Sequence, residues 1–316
     1  MSESIDTTHL IGRVPRVRSA WMYIELAKPR LATLLLAVTL LTFFIASRTV
    51  NLAAVGVTPS AFRTPTGNSI LFFVLAAGVT LYAAGMFALN QYLERDVDRL
   101  MPRTATRPLP SGRMEPRSAL VFGVVTVFLG TMVLTVGVNV WCGLLAAANL
   151  VIYIGIYTPL KKITPVHTFI GAFAGAMPPL VGWAAATGHL GIEAWALAAI
   201  VFAWQFPHFY AVELKNIRDY RRAGIRVLPV TDEKGGRVRL EIVVYTALTL
   251  VASLVPPVIG LVRWWYVVPA VALWIPFGYR AWETCRHYDS PHARKLLKTS
   301  VMYLPLVFAA IGVSLV

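Results

Sequence analysis

The sequence predicts an all-α polytopic membrane protein, a bundle of nine transmembrane helices with the N-terminus in the cytoplasm and the C-terminus outside. Its composition is the first reason: 57% of the 316 residues are hydrophobic and only 14% are charged. Such a composition is typical of membrane proteins rather than of soluble domains. The second reason is that the charges occur in clusters, which leave long uncharged intervals between them.

The intervals divide into nine segments of spanning length, because a helix needs about 20 mostly apolar residues to cross a bilayer. Interval 118–160 is long enough for two crossings, which meet near 137–139. Interval 163–212 contains Glu193 as its one charge and divides at 187–191. The predicted spans are 30–48, 69–91, 117–136, 141–158, 166–186, 193–213, 241–260, 264–281 and 298–315.

The positions of the basic residues predict the orientation. Of the 29 Lys and Arg residues, 26 fall on one alternating side: the N-terminal tail with Arg30, 92–117, 159–165, 214–240 and 280–298. Basic residues concentrate on the cytoplasmic side of a membrane, so this side is predicted to be cytoplasmic. The domain prediction is a cytoplasmic tail, 1–28, followed by a single transmembrane domain, 29–316.

Charge and cysteine usage exclude several other classes of protein. The net charge of +14 requires no nucleic-acid partner, because topology and the anionic headgroups of the lipid bilayer account for most of it. The tail has no apolar signal segment, and its acids argue against a mitochondrial presequence, so a bacterial inner membrane is predicted. Cys142 and Cys285 lie within or at the end of predicted spans and far apart in sequence, which argues against a disulfide framework or a thiolate metal site.

A polar stripe at the end of the second predicted span is the most informative feature. Asn90, Glu94 and Asp98 recur every four residues, which places them on one face of a helix. Ionised groups beside hydrocarbon are costly unless water, a metal or a counter-charge stabilises them. Oxygen-bearing side chains with arginines beyond them suit Mg²⁺ that holds an anionic ligand. The alternative is an acidic helix end that is hydrated at the membrane interface. Asp96 lies about 200° around the helix from Glu94 and is predicted to be structural.

Two cytoplasmic loops, 92–117 and 214–240, contain 14 of the 29 basic residues. Guanidinium groups can bind phosphate oxygens through two hydrogen bonds. The alternative is that they only anchor the loops to lipid headgroups. Met101-Pro102 is predicted to end the second helix, and the proline-rich segment after it to form a fixed loop rather than another helix. The candidate diphosphate ligands are Arg103, Arg107, Arg113, Lys161, Lys162 and Lys215.

The sixth predicted span continues into the second basic loop. Steps of three and four residues define one helical face, formed by Gln205, His208, Val212, Asn216 and Asp219. Pro207 breaks a backbone hydrogen bond in this span, which is tolerated where neighbouring helices or water satisfy the freed carbonyl. The face therefore indicates a lined cavity, although His208 taken alone is as readily a satisfied interior histidine.

Several sequence blocks between residues 28 and 230 resemble a known family. Asn90-x-x-x-Glu94-x-x-x-Asp98 resembles the first aspartate-rich motif of the UbiA-type intramembrane prenyltransferases. Five further blocks resemble the protoheme IX farnesyltransferase branch: Lys28-Pro29-Arg30, Arg103-Thr104-x-x-Arg107-Pro108-Leu109-Pro110-x-Gly112, Gly175-Ala176-Met177-Pro178-Pro179-Leu180-x-Gly182-Trp183, Trp204-Gln205-x-Pro207-His208-Phe209 and Asp219-Tyr220-x-x-Ala223-Gly224. The chain departs from the superfamily at Gln91 and Glu94, and of the paired aspartates in its second motif only Asp219 is placed.

The resemblance implies transfer of a farnesyl group from farnesyl diphosphate to a vinyl group of heme b, which yields heme O and diphosphate. It implies Mg²⁺ as cofactor, and heme A synthase or an oxidase assembly protein as possible partners. The implied catalytic residues are Asn90, Glu94, Asp98 and Asp219, and Asn216 joins them as a metal ligand. Gln205 and His208 are candidate heme contacts. The aromatic residues Tyr92, Trp204, Phe206 and Phe209 either shield an allylic cation or simply pack the bundle.

Two other functions stay open at this stage. A prenyltransferase of the same fold could use an aromatic quinone precursor as its acceptor in place of heme. A transporter with an intramembrane acidic site is the more distant alternative, but transporters often contain inverted repeats, and the two halves of this sequence show no clear repeat.

Overall fold

The computed structural model describes residues 16–49 and 68–316, and every regular element in these two ranges is a helix. This confirms the predicted fold class. In chain order the helices are α1 (Arg16–Leu26), α2 (Pro29–Thr49), α3 (Asn68–Asp98), α4 (Pro102–Ala105), α5 (Pro116–Met132), α6 (Val140–Leu150), α7 (Thr158–Leu160), α8 (His167–Gly175), α9 (Met177–Thr187), α10 (Ile192–Lys215), α11 (Ile217–Arg222), α12 (Leu228–Thr231), α13 (Gly236–Ser253), α14 (Val255–Val258), α15 (Val267–His287) and α16 (Ser290–Val313). π-Helical segments extend α5 over Val133–Val138 and join α6 to α7 over Val151–Tyr157.

Eight helical segments of the described residues are long and apolar enough to cross a membrane. They are α2, α3, α5 with its extension, α6 to α7, α8 to α9, α10, α13 to α14, and α16, and they correspond to eight of the nine predicted spans. The other predicted span, 264–281, corresponds to α15, whose second half carries Arg280, Glu283 and Arg286. Although α15 packs against α16, its composition does not establish a crossing, so the ninth span and the orientation of the termini stay predictions.

Prolines divide two of the predicted spans into consecutive helices. The fifth span changes from α8 to α9 at Ala176, just before Pro178 and Pro179. The seventh changes from α13 to α14 at Leu254, before a second pair of prolines. Proline lacks the backbone donor and clashes with the preceding turn, so the helix ends and restarts there. Pro207, in contrast, lies inside an unbroken α10.

Glycines allow α3 to pack closely against α5. A Cβ atom at Gly85 would lie 2.6 Å from the carbonyl oxygen of Gly123, and one at Gly130 would overlap the backbone of Tyr82. Small residues bring helix backbones together in this way inside membranes, where van der Waals packing drives association. The contact fixes the position of α3, which carries the polar stripe.

Two small apolar clusters hold the polar end of the bundle together. Leu26 of α1 packs with Ala88 of α3 and with Leu109 of the loop that follows α4. Met101 packs with Tyr220 of α11 in a second cluster, to which Ile225 and Val227 also belong. The first and second basic loops are therefore in contact with each other through side chains that are themselves apolar.

The proline-rich segment after α3 contains one helical turn, α4, so the expectation of a loop without helix was wrong at Pro102–Ala105. Proline fits the first position of a helix, because the amide hydrogen it lacks has no intrahelical partner there. Thr104 Oγ1 donates to the carbonyl oxygen of Asp98 at 2.7 Å. Arg99 Nε donates to the carbonyl oxygen of Pro110 at 3.1 Å, and these bonds fasten the loop to the end of α3.

Candidate active site

The polar stripe occupies the buried face of the last turns of α3. Asn90, Glu94 and Asp98 are 2%, 8% and 2% exposed. Asp96 is exposed and forms an ion pair with Arg95 at 3.7 Å. The helical spacing thus separates the side chains that face the protein interior from the one that faces solvent, as the sequence predicts.

Both carboxylates of the stripe are paired with basic side chains from elsewhere in the chain. Arg107 Nη1 donates to Asp98 Oδ2 at 2.6 Å. Lys161 Nζ donates to Glu94 Oε1 at 3.0 Å. A buried carboxylate is destabilising without such a partner, and charge-assisted hydrogen bonds are the strongest that proteins make. The two pairs therefore fix the geometry of the stripe.

Lys28 is a further member of this group. The sequence indicates it only through the block Lys28-Pro29-Arg30. Its Nζ donates to Asn90 Oδ1 at 3.2 Å. Burial lowers the pKa of Lys28 to about 7, and the positive charge of Arg107 acts in the same direction. Burial also opposes the charge of Lys161, but the Glu94 carboxylate holds the pKa of Lys161 well above its usual value. Cations that are crowded together in this way favour the binding of an anion.

Asp219 of α11 joins this group through the first basic loop. Arg103 Nε lies 3.9 Å from Asp219 Oδ2, and the Arg103 guanidinium lies 5.9 Å from the centre of the Tyr220 ring. The apolar contact between Met101 and Tyr220 holds the two loops at this spacing. We call the acids and amide of the site with their basic partners the ion-pair cluster; its members are Lys28, Asn90, Glu94, Asp98, Arg103, Arg107, Lys161 and Asp219.

Four of the predicted diphosphate and metal ligands lie outside the ion-pair cluster. Arg113 forms an ion pair with Glu25 at 3.1 Å. Lys162 and Lys215 have exposed side chains. Asn216 lies in the break between α10 and α11, and its Nδ2 donates to the carbonyl oxygen of Val212 in its own chain segment at 2.7 Å. The structure thus distinguishes neighbouring residues, such as Lys161 and Lys162, that the sequence treats alike.

An apolar cavity of about 330 Å³ adjoins the ion-pair cluster. Its walls come from α2, α3, α6, α8, α9, α10 and α16, and they include Leu35, Met86, Leu145, Ala146 and Val181. Two aromatic side chains of the wall, Phe87 and Tyr157, lie 5.4 Å and 5.8 Å from the ammonium groups of Lys28 and Lys161. A cationic group of residues beside an apolar cavity can bind an amphiphile with an anionic head and an apolar tail.

Gln205 and His208 place polar groups in the wall of the apolar cavity. Gln205 Nε2 donates to the carbonyl oxygen of Ala172 at 2.9 Å. His208 Nδ1 lies 2.9 Å from Ser300 Oγ, and its ring stacks on Trp204 with 4.6 Å between the ring centres. Both side chains are therefore held in one orientation by their neighbours.

The four aromatic residues considered as cation shields fall into two groups. Trp204 and Phe209 line the apolar cavity. Phe206 stacks on Tyr245 instead, with ring centres 3.5 Å apart, and Tyr92 packs under the guanidinium of Arg95. Only the first two are placed to contact a bound substrate in that cavity.

A second, more polar cavity of about 210 Å³ shares Leu31, Tyr157, His208 and Phe209 with the apolar cavity. Its remaining walls include Lys161, His167, Thr168 and Glu213. Neither His167 nor Glu213 is among the residues that the sequence patterns indicate. A glutamate within the apolar sixth span was the available signal, since ionisable residues inside membranes are usually functional.

Comparison with known proteins identifies the family. The UbiA prenyltransferase family model matches residues 52–307 of the chain. This chain belongs to the UbiA prenyltransferase family. Among the curated members, the protoheme IX farnesyltransferase of Solibacter usitatus (strain Ellin6076) is 41% identical over 296 residues, which are 90% of this chain and 96% of that relative. The protoheme IX farnesyltransferase of Koribacter versatilis (strain Ellin345) is 39% identical over 297 residues, 91% of each chain.

Solved structures of UbiA proteins share the fold. A structure of digeranylgeranylglyceryl phosphate synthase superposes with a TM-score of 0.73 at 18% identity, over 94% of this chain and 98% of that one. A UbiA homolog from Archaeoglobus fulgidus bound to GPP and Mg²⁺ gives a TM-score of 0.62 at 17% identity, over 92% of this chain and 99% of that one. The helical bundle described above is therefore the UbiA prenyltransferase fold.

Proposed function

We propose that this protein transfers the farnesyl group of farnesyl diphosphate to a vinyl group of heme b, producing heme O and diphosphate. Relatives that match most of its length are protoheme IX farnesyltransferases. In the chain itself, the observation that carries the proposal is the ion-pair cluster beside the apolar cavity. The pairs of Lys161 with Glu94 and of Arg107 with Asp98 supply cations for a diphosphate and acids for a metal ion at one place.

The donor set of the ion-pair cluster fits Mg²⁺. This ion prefers oxygen ligands and is usually bound by one or two carboxylates together with substrate phosphates. Each carboxylate of the cluster uses one oxygen in its ion pair, namely Glu94 Oε1, Asp98 Oδ2 and Asp219 Oδ2. These three residues and Asn90 would hold Mg²⁺, with Asn216 as a further candidate ligand. When bound, the ion neutralises part of the negative charge on the leaving diphosphate.

Lys28, Arg103, Arg107 and Lys161 are the proposed diphosphate ligands. Their ion pairs and hydrogen bonds hold them beside the acids in the free protein. A magnesium diphosphate offers a new partner to both groups at once, because the acids can bind the metal while the bases bind phosphate oxygens. Buried charges therefore stay compensated before and after binding, which avoids a large desolvation cost. The fixed cations then stabilise the charge that develops as diphosphate leaves.

The apolar cavity is the proposed site of the farnesyl chain and of the vinyl group that attacks it. Apolar walls limit the access of water, so the allylic cation survives long enough to react with the vinyl carbon. Trp204 and Phe209 line this cavity, and aromatic faces stabilise a nearby cation. Gln205 and His208 are proposed heme contacts. For His208, a variant with alanine that kept normal heme affinity and rate would contradict this role.

The protein is an integral multi-pass membrane protein with eight helical segments of spanning character in its described part. We place it in a bacterial inner membrane with the ion-pair cluster facing the cytoplasm, because the basic residues concentrate on that side. Heme O would then pass to a heme A synthase or to an oxidase assembly protein.

One assay tests the proposed function directly. The purified protein is incubated with heme b, farnesyl diphosphate and Mg²⁺, and the porphyrin is analysed by mass spectrometry. We expect heme that carries a hydroxyethylfarnesyl group. A parallel incubation replaces heme b with an aromatic quinone precursor, and prenylation of that acceptor alone would favour the second enzyme function over the first.

A further inference from the structure

We propose that Glu213 and His167 bind and activate the water molecule that completes the product, an inference that rests on the proposed function. When the terminal vinyl carbon bonds to the farnesyl group, the inner vinyl carbon becomes cationic. The hydroxyl group of the product then comes from water. An otherwise apolar site must therefore hold one water molecule and a group that accepts its proton.

The polar cavity is in the right place for this water. Four of its lining residues, Leu31, Tyr157, His208 and Phe209, also line the apolar cavity in which the farnesyl chain is proposed to lie. Lys161, which belongs to the ion-pair cluster, lies in its wall as well. The polar cavity thus contacts both the position of the diphosphate and the position of the reacting carbon atoms.

Two hydrogen-bond acceptors lie close together among the residues that line this cavity. His167 Nδ1 lies 2.8 Å from the carbonyl oxygen of Thr164. Because a carbonyl oxygen only accepts, Nδ1 of the neutral imidazole carries the hydrogen and Nε2 carries a lone pair. Nε2 lies 3.9 Å from Glu213 Oε1, which is too far for a direct hydrogen bond. A water molecule that donates one hydrogen to each atom, at about 2.8 Å, spans this separation.

Glu213 is suited to accept the proton. The residue is only 5% exposed, and Thr168 Oγ1 donates to its Oε1 at 3.4 Å. Its Oε2 is buried and has no hydrogen-bond partner among the described residues. A buried carboxylate oxygen without a donor is destabilising, so this carboxylate favours a ligand that can donate. An ionised phosphate or propionate oxygen has no hydrogen to donate to this group, which leaves a neutral donor such as water.

The electrons and atoms of the step balance without any further reactant. The C1–O bond of farnesyl diphosphate breaks, and its electron pair leaves with the diphosphate. The vinyl π electrons form the new carbon–carbon bond. A lone pair of the water then bonds to the inner vinyl carbon while one water proton moves to Glu213. Without this water, the same cation loses a proton from a neighbouring carbon and yields an alkene, which is lighter by one water molecule.

The experiment measures how the cation partitions between these two products. Wild type, Glu213→Gln and His167→Asn are incubated with heme b, farnesyl diphosphate and Mg²⁺ in ¹⁸O-labelled water. The farnesylated hemes are then separated, and their masses are measured by mass spectrometry. The matched control is Glu241→Gln. Glu241 lies on α13, where it contacts Arg237 and Tyr210, and it does not line the polar cavity.

We expect wild type and Glu241→Gln to give labelled, hydroxylated product. In Glu213→Gln and His167→Asn, the ratio of hydroxylated to dehydrated product should fall at least about tenfold, because positioned bases contribute 10²-fold or more. A wild-type ratio in either variant, or unlabelled hydroxyl in wild type, overturns the proposal. If Glu213→Gln does not fold, His167→Asn decides. Absence of any farnesylated heme in wild type would instead reject the proposed function, on which this inference depends.

Discussion

The ion-pair cluster and the apolar cavity lie side by side, yet their side chains are held in different ways. In the cluster, single hydrogen bonds of 2.6 to 3.2 Å fix Asp98, Glu94 and Asn90 to one basic partner each. In the cavity, alkyl side chains such as Leu145 and Met86 are held by packing alone. A substitution in the cluster should therefore affect the reaction rate strongly, whereas one in the cavity wall should mainly change which substrate fits.

Removal of the metal tests the cluster most severely. We expect turnover to fall to background in excess EDTA and to return when Mg²⁺ is added, measured by mass analysis of the heme product. The melting temperature should barely change, because Glu94 and Asp98 keep their basic partners without the metal. Full turnover in EDTA would mean that the oxygen donors of the cluster serve another purpose.

Amide substitutions in the stripe should have the next largest effect. Glu94→Gln and Asp98→Asn keep the side-chain volume but remove the charge, and we expect kcat/KM to fall about 10²–10³-fold, the usual size of a lost transition-state charge interaction.

Asp96→Asn is the control for both variants, since Asp96 belongs to the same helix but is exposed. It should retain the wild-type rate. Equal losses of kcat/KM in Asp96→Asn and Asp98→Asn would show that the rate depends on the total charge of the helix end and not on the buried stripe.

Two adjacent lysines offer a sharper comparison. Lys161 binds Glu94, whereas the side chain of Lys162 is exposed. We expect Lys161→Met to lower kcat/KM about 10–100-fold, equivalent to one charged hydrogen bond, and Lys162→Met to leave it unchanged. Steady-state kinetics over a range of farnesyl diphosphate concentrations would measure both. Similar losses in the two variants would indicate a diffuse attraction of the diphosphate rather than a defined contact.

These lysines also show which parts of the site can be predicted from the sequence. The buried face of α3 was predictable, because a spacing of four residues has one geometric meaning on a helix. The partner of each acid was not, since Lys161 and Lys162 have the same chemistry and only the turn after α7 determines which one points inward. Lys28 was equally hidden, because its contact with Asn90 joins residues 62 positions apart in sequence.

The cavity was harder to predict than the cluster. The uncharged intervals predicted a bundle of nine spans, and eight of these spans are matched by helices of spanning character. Within these spans, the sequence does not distinguish an alanine that lines a cavity from one that faces lipid, because both surroundings are apolar. Only helix packing distinguishes Ala146, which lines the cavity, from its exposed neighbour Ala147.

That pair of alanines provides the prediction with the smallest effect. Ala146→Leu adds bulk to the wall of the 330 Å³ cavity, so we expect kcat/KM for farnesyl diphosphate to fall about 3–10-fold relative to that for the shorter geranyl diphosphate. The estimate follows from about 0.8 kcal/mol for each methylene that loses its apolar contact. Ala147→Leu should leave the ratio of the two kcat/KM values unchanged. If both variants changed this ratio equally, lipid packing around α6 would explain it. A change only in Ala146→Leu would assign the farnesyl chain to this cavity.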